Sequence, residues 1–206
     1  MKHTKVVAFA DNLLLVIRSS TTRAAENISN IEMTKITAWA KINFNEEKSK
    51  FMIVSRRKWK ENKEINIYLN NKPIQQATKM KYLGLIIDNK FKFSEHISYT
   101  AERSSKLIHS LSKSAKLTWG LNHKALQTIY KGVILPLLLY GALVWAKAMK
   151  YEHNRFKYIR VQRLINIKIA KAFRTTSSEA LYILAGTTPI VLRTEGRSGG
   201  IIIAKG

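Results

Sequence analysis

Val6-Val7-Ala8-Phe9-Ala10, then Asp11-Asn12, then Leu13-Leu14-Leu15-Val16-Ile17 is the stretch whose reading decides the fold. Two apolar runs flank a polar pair that favours turns, which predicts two buried strands joined by a tight Asp11-Asn12 hairpin. Such a turn lifts one carboxylate to an exposed tip. A hard divalent cation held there can orient an attacking hydroxyl and stabilise a leaving oxygen. Taken alone, the same residues are more often an ordinary hairpin.

Working outward, Ser19-Ser20-Thr21-Thr22 offers helix-capping hydroxyls. Ala24, Ile28, Ile31, Ala38 and Ile42 then follow helical spacing, with Lys35 as a break, up to Asn43-Phe44-Asn45. Lys50 to Ser55 reads as a strand, Arg56 to Glu64 as a charged loop, and the alternation of Ile65, Ile67 and Leu69 as a half-buried strand. Asn70-Asn71-Lys72-Pro73 is a turn, and Lys81 to Asp88 a further strand. From residue 94 the pattern is helical. Ser94 can cap a helix with Ile97, Ala101, Ile108, Leu111 and Ala115 on one face and Gly120 at its end. Asn122 can cap the next, with Leu126, Ile129, Tyr130 and Val133 inward and a kink or break at Pro136. A third helix covers Tyr151 to Phe173, and Thr176-Ser177-Ser178-Glu179 is a capping box for a short helix ending at Gly186. Trp119, Trp145 and Tyr140 sit in apolar helical context and are expected in the core. The fold class is therefore α+β: antiparallel hairpins plus one helix over 1–89, an all-α part over 90–186, and a glycine-containing tail over 187–206 expected to be poorly ordered.

The 206 residues include 36 Lys and Arg against 13 Asp and Glu, a formal net charge of +23. That field disfavours a compact chain unless a polyanion neutralises it, and nucleic acid is the polyanion that dispersed Lys and Arg suit best. The absence of cysteine excludes disulfide partners, thiol chemistry and cysteine-zinc sites. His3, His96, His109, His123 and His153 are scattered, without metal-ligand spacing, and read as surface or packing residues. No secretory signal is recognisable at Met1 to Thr4. The apolar run Val133 to Ala146 is shorter than the ~20 residues that span a bilayer, so it reads as a buried helix. The expected location is intracellular, nucleus or cytoplasm, with no membrane partner. Arg155, Arg160, Arg163, Lys168, Lys171 and Arg174 crowd the third helix, and 160, 163, 167, 171 and 174 step by three or four, placing charges on one face that either tracks phosphates or is simply solvated. In Arg56-Arg57-Lys58-Trp59-Lys60, Trp59 is a candidate for stacking on a base.

Taken together, these residues resemble the reverse transcriptase of non-LTR (LINE-type, jockey-like) retrotransposons, from Phe9 to about Leu192. Phe9-Ala10-Asp11-Asn12-Leu13-Leu14 is similar to the family's palm motif Phe/Tyr-Ala-Asp-Asp. Trp39-Ala40 through Asn45-Glu46-Glu47-Lys48-Ser49-Lys50 resembles the following motif, and Lys81-Tyr82-Leu83-Gly84-Leu85-Ile86-Ile87-Asp88 the primer-grip hairpin. His96-Ile97, Ile134-Leu135-Pro136-Leu137-Leu138-Leu139-Tyr140-Gly141 and Val144-Trp145 resemble the thumb; Arg160-Val161-Gln162-Arg163 and Thr175 to Leu181 resemble the segment beyond it.

The resemblance implies a partial palm followed by a thumb, with RNA-directed DNA synthesis as the family activity and a primer-template as partner. By resemblance Asp11 is a Mg2+ ligand. Asn12 departs from the family's second aspartate and brings an oxygen but no charge. Lys48 aligns with a lysine that neutralises the leaving group, beside the bland reading of a solvated lysine. Tyr82, Leu83 and Gly84 fall on the primer grip; on their own they are a strand with a glycine kink. The family's other metal-binding aspartate lies on an earlier strand, and eight residues precede Phe9 here, so the chain is expected not to polymerise DNA by itself. A non-enzymatic basic nucleic-acid-binding protein and a decayed reading frame are the alternatives.

Overall fold

The computed structural model describes residues 4–40, 44–54, 65–114 and 122–196. The chain divides into two compact units, Met1–Lys90 and Phe91–Gly206.

In the first unit, β1 (Thr4–Phe9) and β2 (Asn12–Ile17) pair antiparallel, from Thr4 opposite Ile17 to Phe9 opposite Asn12. The loop is therefore Ala10-Asp11, one residue earlier than the Asp11-Asn12 turn expected. Asn12 takes the last ladder position, and Ala10 accepts a φ of 49°. A one-residue shift of a hairpin exchanges the faces of its strand, so this register decides which side chains of β2 meet the helix. The strands are less buried than their composition predicts: Phe9 is 61% exposed, and Val6, Val7 and Val16 are exposed too. A two-stranded sheet has two faces, and α1 (Thr22–Ala40) lies against part of one. Between them an apolar cleft of ≈ 320 Å³ is lined by Val6, Leu13, Lys35, Ile36 and Trp39.

The Thr21 hydroxyl accepts from the Ala24 amide at 3.2 Å and caps α1. The helix buries Ser29 and Ile36 and leaves Ile31 and Ala38 outside, a face rotated from the one its apolar spacing suggested. The rotation follows from polar pinning. Asn30 donates to the Asn66 carbonyl at 3.1 Å and accepts from the Tyr68 amide at 2.9 Å, while Glu26 accepts from the Asn66 amide at 3.1 Å. One amide side chain thus replaces a missing ladder neighbour. Ile65, Ile67 and Leu69 are buried as their alternation indicated.

The short ladders around them are β3 (Lys50–Phe51), parallel to β6 (Gln75–Gln76), and β4 (Tyr68–Leu69), antiparallel to β5 (Lys72–Pro73). Asn70 and Asn71, at φ 50° and 62°, close the second pair as a type I′ turn. The strand expected over 50–55 stops at Phe51, since its partner is only two residues long, and 52–54 are irregular. Arg56 to Glu64 lie outside the described residues. Lys81 to Asp88 is not one strand: β7 (Lys79–Tyr82) and β8 (Leu85–Asp88) form a hairpin whose turn is Leu83-Gly84 at φ 44° and 80°.

The second unit is helical: α2 (Ser94–Ser114), α3 (His123–Ile129), a π turn over Tyr130–Ile134, α4 (Leu135–Leu138), α5 (Ala142–Trp145), a 3₁₀ turn over Ala146–Lys150, α6 (Glu152–Ala170), α7 (Ser178–Ala185) and α8 (Ile190–Glu195). Gly120 and Trp119 lie outside the described residues. Asn122 caps α3 by accepting from the Ala125 amide at 2.8 Å, as its position predicts. Pro136 does not break the helix that follows. A proline lacks the amide and crowds the carbonyl four residues back. The π turn immediately upstream opens that space, with the Leu135 amide reaching the Tyr130 carbonyl. The widened turn also rotates the face: Val133, expected inward, is half exposed, and Ile134 is buried in its place.

The apolar run from Val133 to Ala146 is therefore bent rather than one buried helix. It breaks at Gly141, whose φ of 63° suits glycine. Tyr140 is 52% exposed, against the expectation of a core position, because it sits on the outer side of that break. Among the described residues no single helix is long and apolar enough to cross a membrane.

Tyr130, Ile134, Leu138, Trp145, Tyr158, Ile165, Leu181 and Ile190 form the core with Ile97 and Ile108 of α2. α2 and α6 run in the same direction, as three bonds show: Ser94 Oγ to His153 Nε2 at 3.0 Å, Lys157 Nζ to Ser98 Oγ at 2.6 Å, and Thr100 Oγ1 to Tyr158 Oη at 2.7 Å. α6 stops at Ala170 rather than Phe173, with Lys171 in the left-handed region at φ 50°. α7 is capped by Ser177, whose hydroxyl accepts from the Ala180 amide at 3.2 Å, one residue later than the capping box implied. It ends at Gly186, where the amides of Gly186 and Thr187 return to Ile183 and Tyr182 carbonyls. Past Pro189, where a poorly ordered tail was expected, residues 190–195 are helical because Ile190 and Thr194 are buried against the rest of the unit. Residues 197–206 lie outside those described.

Candidate nucleic-acid interface

The β1–β2 tip presents Asp11 and Asn12, both exposed. Asn12 turns its amide toward its neighbour, and Nδ2 donates to Asp11 Oδ1 at 2.9 Å. The donor set at this tip is thus one carboxylate, with one of its oxygens already accepting from an amide. Among the described residues no group of three or more His, Cys, Asp or Glu side chains could hold a metal ion. Magnesium asks for near-octahedral oxygen ligands with carboxylate charge. These residues do not fit that ion.

Lys48 lies on a turn whose geometry explains its motif. Asn45 Oδ1 accepts from the Lys48 amide at 3.0 Å, and the Ser49 hydroxyl and amide return to the Asn45 carbonyl at 2.8 and 3.1 Å. The Asn-x-x-Lys-Ser pattern is a side-chain-closed turn that leaves the Lys48 ammonium exposed. Glu46 on the same turn accepts from Asn70 and lies 3.7 Å from Lys72; the Asn70 bond, chiefly, holds its carboxyl below the usual range. Tyr82 ends β7, and Leu83-Gly84 form the hairpin turn, so the three residues stand together at one tip. A side chain at φ 44° is strained for leucine, and Gly84 relieves the next position. Arg56, Arg57, Lys58 and Trp59 lie outside the described residues.

The basic residues of α6 divide by what they touch. Arg163 donates from Nη2 to the carbonyls of Arg174 and Thr176 at 2.6 and 2.7 Å, and from Nη1 to Ser178 Oγ at 3.1 Å. Its planar fork ties the α6–α7 connection. Arg160 is exposed, and Arg155 lies 3.9 Å from Glu152. Because α6 ends at Ala170, Lys171 and Arg174 are exposed on the connection, and the single face expected from 160 to 174 is not formed. Arg163→Ala is therefore expected to lower stability by about 2–3 kcal/mol through the carbonyls it abandons. Arg160→Ala should change stability by less than about 0.5 kcal/mol. Equal urea midpoints for the two variants would contradict this division.

A second grouping was not anticipated from sequence. His153 is exposed, yet its ring is stacked on Tyr151 at 5.9 Å and 26° and bonded through Nε2 to Ser94 Oγ at 3.0 Å. Lys150 Nζ stands 5.0 Å from the Tyr151 ring centroid. Nothing in the spacing of 94 and 153 marks them as neighbours. The Lys-Tyr-x-His run was the one local signal. His96, in contrast, is buried against the Trp145 ring at 6.0 Å; burial lowers its pKa, and a bond to the Tyr140 backbone partly opposes that shift.

No protein-family model matches the chain, and no solved structure does. Relatives of known kind do. Over 131 residues, 64% of this chain and 33% of the relative, it is 37% identical to a retrovirus-related Pol polyprotein from the type-1 retrotransposable element R1 4 of Nasonia vitripennis. A second such Pol polyprotein, from element R1 2 of the same organism, is 27% identical over 98% of the chain and 50% of the relative. A probable RNA-directed DNA polymerase from transposon X-element of Drosophila melanogaster is 28% identical over 78% of the chain and 18% of its own length. The chain spans half or less of the length of these relatives. All are retrotransposon proteins, and the alignments extend over most of the chain, which is similar in sequence to the Pol proteins of non-LTR retrotransposons.

Proposed function

We propose that this chain is a segment of a non-LTR retrotransposon reverse transcriptase, the later part of a palm followed by a helical thumb, which grips a primer-template and does not polymerise DNA alone. The observation that carries the reading is kinship with retrotransposon Pol proteins in a chain of net charge +23. The Leu83-Gly84 tip and the exposed Lys48 and Arg160 are its contacts to the nucleic acid, joined by Arg56, Arg57, Lys58, Trp59, Arg155, Lys171 and Arg174. Arg163 serves by holding the connection that carries Arg174. The Asp11 carboxylate, hydrogen-bonded by Asn12 and in no cluster of three or more His, Cys, Asp or Glu side chains among the described residues, supports the absence of catalysis, since two-metal transfer needs acidic ligands converging on paired ions.

Two measurements test this. Affinity for a primer-template duplex should fall with salt at a log–log slope of about −0.9 per neutralised phosphate. Primer extension by the purified chain with Mg2+ should stay at background. A salt-independent affinity removes the gripping role, and extension above background removes the claim of inactivity.

A further inference from the structure

We propose that the exposed ring of His153, backed by Tyr151 and flanked by Lys150 and Lys157, is a stacking site for an unpaired base of single-stranded nucleic acid. It lies at the end of the second unit where α2 and α6 begin. The inference rests on the nucleic-acid reading above and adds a site and a strand state to it.

An exposed side chain ordinarily keeps its rotamer freedom, and ordering it costs entropy. His153 is held twice, by the Ser94 hydroxyl at 3.0 Å and by the Tyr151 ring behind it, while remaining exposed. A ring ordered before its ligand arrives binds without that cost. The aromatic residues that serve packing are enclosed instead: Trp145, Tyr130 and Tyr158 are each at most 1% exposed.

The backbone under the platform is tied by hydrogen bonds. Asn154, fully buried in the first turn of α6, donates to the Ala148 carbonyl at 3.1 Å and the Lys92 carbonyl at 3.5 Å. It pins both the turn leading to Tyr151 and the segment that ends at Ser94. Phe91 on that segment is 53% exposed with its ring 6.1 Å from Phe93.

Charge around the ring suits a phosphate backbone. The starts of α2 and α6 and the segments leading into them carry Lys92, Lys150, Arg155 and Lys157 against two carboxylates, Glu95 and Glu152, and Glu152 stands 3.9 Å from Arg155. Lys157 Nζ is held by the Ser98 hydroxyl at 2.6 Å, so its charge is oriented without being neutralised. A ring face with cations on either side is how proteins hold single strands: bases stack and phosphates pair, with little regard for sequence. A duplex offers no free base face to such a ring.

The test uses the whole chain and fluorescence anisotropy. The probes are an oligothymidylate of about a dozen nucleotides and an abasic phosphodiester oligomer of equal length. His153→Ala should weaken thymidylate binding about 5- to 150-fold and leave abasic binding and the melting temperature unchanged. His153→Trp should restore it. Lys150→Ala and Lys157→Ala should weaken both probes and each reduce the salt slope by about 0.7. Unchanged thymidylate affinity in His153→Ala, or equal losses on both probes, overturns the stacking site. If duplex binding stays salt-dependent in that case, the nucleic-acid reading survives it. If the unaltered chain binds neither oligomer nor duplex, both fall.

Discussion

Trp145→Ala is expected to cost the helical unit about 3–5 kcal/mol, a large part of the ~5–15 kcal/mol that holds a typical domain together. The indole is fully buried, meets Tyr158 edge-on at 5.5 Å and lies 6.0 Å from the His96 ring. Its Nε1 donates to the Tyr140 carbonyl at 2.7 Å. That bond ties down the chain just before Gly141, where helical continuity is broken. Truncation leaves a void among residues that cannot collapse into it, since α2 and α6 are braced by the Thr100–Tyr158 bond. Trp145→Phe keeps most of the packing and loses the donor, so about 1–3 kcal/mol is expected there. Urea unfolding followed by circular dichroism reads both. A loss under about 1 kcal/mol for the alanine variant would mean that this ring is not the keystone of the unit.

Gln162→Leu is expected to be of similar size although it keeps an apolar side chain of comparable volume. The Gln162 amide is fully buried; Nε2 donates to the Tyr130 hydroxyl and the Thr188 carbonyl, each at 2.8 Å, and Oε1 accepts from the Ile190 amide at 2.8 Å. Each orphaned buried group costs about 1–3 kcal/mol, and leucine orphans two, the Tyr130 hydroxyl and the Ile190 amide, besides releasing the part-buried Thr188 carbonyl. The loss should be local before it is global, because two of the three groups belong to the entry into α8. Hydrogen exchange at Ile190 should accelerate by orders of magnitude while amides in the middle of α6 keep their protection. Uniform acceleration across the unit, or none, would show that Gln162 does not seat α8.

The two substitutions mark how far the sequence could be read. Asn122, Ser177, Gly186 and the Asn70-Asn71 pair declared helix ends and a turn, and the structure uses them within a residue of where they were placed. Signals depending on distant partners misled. Val133 counted as inward under a 3.6-residue period that the π turn before Pro136 interrupts. Arg163 read as one charge in a row, yet three partners from 174, 176 and 178 occupy its fork. β1 read as buried by composition, but burial is a property of what covers a strand, and α1 lies against only part of the hairpin.

By itself the amino-acid order determined the kinship, the cationic character, the caps and the Asn70-Asn71 turn, because each of those is set by composition or closed by atoms a few residues apart. Only the tertiary structure decided which arginine braces and which is exposed, which face of each helix is covered, and that a histidine at 153 is held by a serine at 94. Those outcomes depend on side chains brought together across dozens of residues, and no local period or motif encodes that meeting.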